Sequence, residues 1–189
     1  ARDCAAPVEV HTRVTAVTPS VQGYRVRTDR GDWECMAVIV ASGAFNRSNI
    51  PRVAASLPAE VEQLDTLNYR NPSQLPEGGV LVVGAAASGV QIAREIQGSG
   101  RQVTLATGEH VRMPRHYRGR DIQHWMHCCG LLDEDWQQVE DLGRARRLPS
   151  AQLVGSDEGV DVDLNSLTDS GVQLVGRLAG IQGKQAQFS

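Results

Sequence analysis

Gly84, Ala85, Ala86, Ala87, Ser88 and Gly89 form a run of small residues between an apolar tetrapeptide, Val80-Leu81-Val82-Val83, and the segment Val90-Gln91-Ile92-Ala93. The spacing predicts a buried strand, a tight turn and the opening of a helix. That frame offers backbone N–H groups and a helix N-terminus to a pyrophosphate. The first glycine of such a turn makes the sharp bend, and the last lets helix and strand pack closely. The middle position must let a phosphate approach the backbone, and Ala86 adds one methyl group there. A second strand over Gln102–Ala106 completes one β-α-β unit of about 30 residues, a stronger signal than the glycines alone.

The end of that second strand bears on which dinucleotide is bound. A site that prefers NADH places Asp or Glu there, to accept hydrogen bonds from the ribose 2′-hydroxyl. Here Thr107 takes the position, and arginines follow at Arg112 and Arg115, with Arg118 and Arg120 beyond. Guanidinium forks suit a 2′-phosphate, so NADPH is the expected ligand and Arg112 the leading arginine. Any one of these arginines is equally well explained as part of a solvated or interdomain face. Glu109 is a counterweight, since a small shift of the turn lets it serve NADH.

Other reactive side chains carry less. His124, His127, Cys128 and Cys129 crowd one short helix, but a closed zinc site needs four ligands and adjacent cysteines point apart, so no metal is expected. His110 and His116 flank the nucleotide loop, as cofactor contacts or as surface residues. Ser42 lacks the G-x-S-x-G elbow of a nucleophilic serine. Trp125 and Trp136 read as packing residues. No side chain qualifies as a general acid or nucleophile, and the catalytic set stays unassigned.

These residues need elements to hold them. Residues 8–16 alternate apolar and polar, which predicts a strand, followed by a turn over Pro19–Gly23. Tyr24–Thr28 alternates again before the turn Asp29–Asp32. Trp33–Val40 ends in the apolar run Met36–Val40 and reads as a buried strand. Three such strands cannot bury both faces alone, so they belong to a larger sheet. Residues 51–79, rich in Pro and Gly, read as a linker with one short helix near Ala59–Gln63. Beyond the nucleotide unit, with its helix over Ser88–Gln97 and Gly89, Ala93 and Ile96 on one face, the pattern predicts a helix over Asp121–Cys128. A strand over Val172–Val175 and a hairpin turning at Gly183-Lys184 follow. The expected fold class is α/β: a meander over 1–50, a linker over 51–79, and a parallel sheet with flanking helices over 80–189.

Composition sets the outer bounds. A net charge of −3 gives no electrostatic footprint for nucleic acid. No apolar run approaches the roughly 18 residues of a membrane helix, and the start of the chain lacks the apolar core of a signal peptide. Four cysteines without a C-x-x-C pair fit a reducing, cytoplasmic setting. The chain length suits one complete domain with part of another.

The order of the pieces is more specific than any one of them. Val38-Ile39-Val40-Ala41-Ser42-Gly43-Ala44-Phe45, then Pro51, then Tyr69-Arg70-Asn71-Pro72, then Val80–Ala93, resembles the flavin-dependent monooxygenases with two dinucleotide-binding domains. That family includes flavin-containing, N-hydroxylating and Baeyer–Villiger enzymes. The resemblance implies that Ala41, Ser42 and Gly43 form the turn closing an FAD domain, and that Gly84, Ser88 and Gly89 belong to a Rossmann-like NADPH domain inserted after it. It also implies a reaction in which NADPH reduces FAD and a flavin hydroperoxide oxygenates a small organic substrate. Two departures mark a divergent member. The family's N-terminal FAD fingerprint is absent, and its F-x-G-x-x-x-H signature survives only in spacing, as Leu57, Ala59 and Gln63. The expected partners are a small-molecule substrate and an FAD-binding portion of a longer parent chain, without which this chain is expected to be inactive; homo-oligomer formation is left open. Two rivals are a flavoprotein reductase of the disulfide-reductase type, which requires a redox C-x-x-C, and a non-catalytic NAD(P)H-binding module, which requires a self-sufficient core.

Overall fold

The computed structural model describes residues 7–43, 46–111, 113–148 and 161–189. The chain divides into two units, Ala1–Asn46 and Arg47–Ser189.

In the first unit three antiparallel strands, β1 (Val14–Ser20), β2 (Gly23–Thr28) and β3 (Gly31–Cys35), follow one another as a meander. Gly23 holds a φ of +138°, and a Cβ there would meet the Cys35 carbonyl oxygen at 2.3 Å, so only glycine fits the β1–β2 turn. Arg25 and Glu34 face each other across β2 and β3 and pair at 2.6 Å. The hydrogen bond from Arg25 holds the exposed Glu34 carboxyl below its ordinary value. Val14, Val17 and Trp33 stay exposed, as expected of three strands without a covering layer.

Two strand boundaries differ from the sequence pattern. β1 begins at Val14 rather than Val8 and runs through Pro19, while residues 10–11 form a turn with His11 at φ +54°. β2 ends at Thr28, opposite Val14; beyond it the Arg13 carbonyl is met by the Asp29 N–H, and among the described residues no strand pairs with residues 8–12. The apolar run Met36–Val40 is not a buried strand. Met36, Ile39 and Val40 are 80–90% exposed, because among the described residues of this unit no strand lies along the free edge of β3.

The second unit opens with turns. A 3-10 turn spans Arg52–Ser56, and Pro58 accepts a bond from the Val61 N–H, so the expected helix near residue 60 is a turn set by prolines. Asp65 collects the N–H groups of Leu67 and Asn68, and Asn71 caps the short turn Pro72–Gln74. The Arg101 guanidinium then donates to the carbonyls of Leu75, Pro76 and Gly78, fastening this segment beside the sheet.

The sheet itself is parallel. β4 (Val80–Val83) leads into α1 (Ala87–Gly98), and β5 (Val103–Ala106) follows. A two-residue hairpin, β6 (His116–Tyr117) with β7 (Arg120–Asp121), precedes α2 (Ile122–Cys128) and α3 (Leu142–Ala145). Then come α4 (Leu164–Asp169), β8 (Gln173–Val175) and the hairpin β9 (Leu178–Gln182) with β10 (Gln185–Phe188). The strand order is β4-β5-β8, with Val80 opposite Val103 and Leu105 opposite Leu174. Asp163 and Ser166 close a capping box on α4.

α1 and α4 pack on one face of this sheet and close the core: Val90, Ala93, Ile96, Leu105, Leu167 and Val172 are buried. Leu81 and Val83 point to the opposite face and are 39% and 51% exposed. The α/β class and the Rossmann-like β-α-β unit agree with the sequence pattern. Among the described residues no helix is long and apolar enough to cross a membrane.

Candidate nucleotide-binding site

The small-residue run lies where β4 turns into α1. Gly84 donates its N–H to the Ala106 carbonyl, which extends the β4–β5 pairing by one residue, and then turns with φ +104°. Gly89, in the first turn of α1, rests against Gly84: a Cβ at residue 89 would lie 1.9 Å from the Gly84 carbonyl oxygen. That oxygen is backbone and cannot swing aside, so the close approach of helix and strand requires glycine.

Ala85 is buried beneath the turn, while Ala86, Ala87 and Ser88 are exposed. Ala86 is the N-cap, extended at φ −72° and ψ 176°, and no side chain caps the helix there. The first intrahelical bond is Val90 N–H to the Ala86 carbonyl. The N–H groups of Ala87, Ser88 and Gly89 therefore precede the helical ladder, at the positive end of a twelve-residue helix. An anion at this end meets main-chain donors and no side chain that obstructs them. The residues present fit a dinucleotide pyrophosphate on that ground.

Thr107 stands at the end of β5, the ribose position in the sequence pattern. Its N–H and its hydroxyl both donate to the Val175 carbonyl, at 3.0 and 3.2 Å. The hydroxyl is thus spent on joining β5 to β8. Arg112 lies outside the described residues. Arg115 is engaged: its guanidinium pairs with Asp121 at 2.7 Å, and its N–H donates to the Asp161 carboxylate. Asp121 is held below the usual carboxylate range, first by the Gln123 N–H it caps and then by the Arg115 charge.

Another arginine reaches the same edge. A Cβ on Gly108 would lie 3.3 and 3.4 Å from Nε and Nη2 of Arg177, so this guanidinium rests directly on the residue after Thr107. Arg177 follows β8, and its backbone pairs in both directions with Ser189 beyond β10. The signal for it is not local: only the pairing of β5 with β8 brings residue 177 beside residue 108.

The remaining candidates stand apart. Ala41, Ser42 and Gly43 are exposed in the first unit, Gly43 at φ +76°, and residues 44–45 lie outside the described residues. Among the described residues of that unit no strand–glycine turn–helix occurs that would cradle an FAD pyrophosphate. His124 sits 3.2 Å from Arg120 and 3.6 Å from Cys128, while His127 faces Asp133. No group of three metal-ligating side chains forms among the described residues. The His110 Nε2 is buried without a hydrogen-bond partner among the described residues. Trp125 packs edge-on against Tyr117 and donates to its carbonyl, whereas Trp136 is two-thirds exposed. Two open depressions lie elsewhere, one on the meander between Thr18 and Met36 and one beside Gly79 and Arg101. The edge described above is a row of main-chain donors rather than a closed cavity, so depth is a poor guide to it.

Comparison with known proteins agrees with this geometry. Residues 1–127 match the family model described as pyridine nucleotide-disulphide oxidoreductase. The chain is similar to a CzcO-like oxidoreductase of Geobacillus kaustophilus, with 39% identity over 128 residues, 67% of this chain and 36% of that protein. It is 30% identical over 105 residues, 53% of this chain and 23% of the relative, to the flavin-containing monooxygenase FMO GS-OX5 of Arabidopsis thaliana. A solved flavin monooxygenase from Stenotrophomonas maltophilia, a mutant, shares the fold with a TM-score of 0.62 at 20% identity. The alignment covers all of this chain and 49% of that one. The chain thus spans about a third of the length of the curated CzcO-type relative it matches. The expected kinship with flavin monooxygenases is met.

Proposed function

Because the chain belongs to the pyridine nucleotide-disulphide oxidoreductase family, we propose that it is the NADPH-binding portion of an FAD-dependent monooxygenase acting on a small organic substrate in the cytoplasm. The observation that carries the reading is the Gly84–Gly89 contact, which leaves three N–H donors at the tip of α1 free of the helical ladder. In this reading Gly84 and Gly89 shape the turn, and Ala87, Ser88 and Gly89 hold the pyrophosphate through their backbone. The nicotinamide supplies hydride and the flavin supplies oxygen chemistry; the protein binds, orients and excludes water. Ala41, Ser42 and Gly43 border the flavin in the parent protein.

Disulfide reduction is the second reading, and the description of the matched family model favours it. It requires a redox-active cysteine pair, and the sequence contains no C-x-x-C. Relatives named as flavin-containing monooxygenases support oxygenation instead.

Calorimetric titration with NADPH, NADH and FAD separates these possibilities. NADPH is expected to bind in the micromolar range, NADH more weakly, and FAD negligibly. Failure to bind either pyridine nucleotide would sink the proposal, and tight binding of FAD by this chain alone would sink its division of labour.

A further inference from the structure

We infer that Arg177, just beyond the third strand of the parallel sheet, is the residue that distinguishes the 2′-phosphate of NADPH from the 2′-hydroxyl of NADH. The inference rests on the proposed binding of a pyridine nucleotide at the Gly84–Gly89 turn.

In an open parallel sheet ligands lie outside the carboxyl ends of the strands. Three such ends meet here: Gly84 after β4, Thr107 and Gly108 after β5, and Arg177 after β8. The adenine ribose of a dinucleotide held at the α1 N-terminus falls near the tip of the second strand. At that tip Thr107 has no proton to offer a phosphate, because its hydroxyl donates to the Val175 carbonyl. Gly108 presents bare backbone, with Nε and Nη2 of Arg177 lying 3.3 and 3.4 Å from where its Cβ would be. A side chain at residue 108 would press on the guanidinium and shift it by a few tenths of an ångström.

The charge state of the neighbourhood points the same way. Arg177 makes no ion pair with any carboxylate among the described residues, and its side chain has no hydrogen-bond acceptor there. Arg115 is committed to Asp121, at 2.7 Å. A guanidinium fork that lies at Gly108 and is unspent on the protein suits a dianionic phosphate, which it can grip through two parallel N–H groups. Its backbone is held by the two bonds to Ser189, which anchors the root of the side chain at the end of β8.

The test compares NADPH and NADH affinity, by calorimetry on the whole chain, in the unaltered protein and in Arg177→Ala, Arg177→Lys, Arg115→Ala and Arg112→Ala. Arg177→Ala is expected to weaken NADPH roughly ten- to a hundredfold, the scale of lost hydrogen bonds to a charged group, and NADH less than about twofold. Arg177→Lys should recover part of the loss, since it keeps the charge but not the fork. Retained NADH binding also reports that the variant is folded. A selective loss of NADPH in Arg115→Ala or Arg112→Ala with none in Arg177→Ala overturns the assignment while leaving nucleotide binding intact. An unaltered protein that binds neither nucleotide overturns the underlying reading together with the assignment.

Discussion

Gly89 touches the carbonyl of Gly84 through its Cα, and the contact fixes how closely α1 approaches β4. A methyl group at residue 89 must push helix and strand apart, because the atom it meets at 1.9 Å is backbone. Gly89→Ala is expected to cost about 1–3 kcal/mol, an overpacking penalty, read from the urea midpoint. Gly84→Ala has open space for its Cβ but must hold φ +104°, a strain of about 1–3 kcal/mol. Tyr69 offers a titration. Its partial burial and its hydrogen bond to Glu95 push the phenol up to about 12 from an ordinary 10.0. A group raised in the folded state contributes stability fully present below its unfolded value and lost as pH rises toward the folded one. The difference in stability between the unaltered chain and Tyr69→Phe should therefore be constant up to pH 10 and shrink between about pH 10 and 12. A difference that stays flat through that window would show that the Tyr69–Glu95 bond does not shape the titration.

At the scale of elements the sheet has two unlike faces. Leu105 is wholly buried under α1, whereas Leu81, one strand away on the other face, is 39% exposed. Leu105→Ala is expected to lower stability by about 2–5 kcal/mol, and Leu81→Ala by well under half of that, in parallel thermal melts. The Arg101 clamp makes a separate claim. Arg101→Ala leaves the carbonyls of Leu75, Pro76 and Gly78 without their donor, and limited proteolysis should then cut within residues 72–79 first. How much of this the sequence disclosed follows from where each signal resides. The turn Gly84–Gly89, α1, α2 and the Gly183 hairpin were legible, because their determinants are neighbours in the chain. β1 was misplaced by six residues, since alternation announces a strand only where another strand can pair with it. The exposed run Met36–Val40 has the same cause: its apolar character was plain, and its lack of a partner was not. Arg177 was invisible because β5 and β8 pair across a sequence separation of 68, as the Thr107–Val175 bond shows.

For the molecule as a whole, the two units differ in kind. Every buried apolar residue of the core lies between Ala85 and Val172, and the meander contributes none among the described residues. The CzcO-like relative and the solved flavin monooxygenase are each about twice the chain's length. Under the proposed function the meander borders the flavin and the second unit holds the nucleotide. NADPH should therefore raise the melting temperature by mass action on the second unit alone, and a marker in the meander such as Trp33 should not report the added protection.

That small core has a calorimetric consequence. The heat capacity of unfolding and the steepness of a urea transition both scale with the apolar surface that unfolding exposes. Among the described residues ten apolar side chains are buried, nine of them in one cluster built with α1 and α4, and so small a core exposes little. A chain of 189 residues should then unfold with the shallow slope and small heat-capacity step of a much shorter protein.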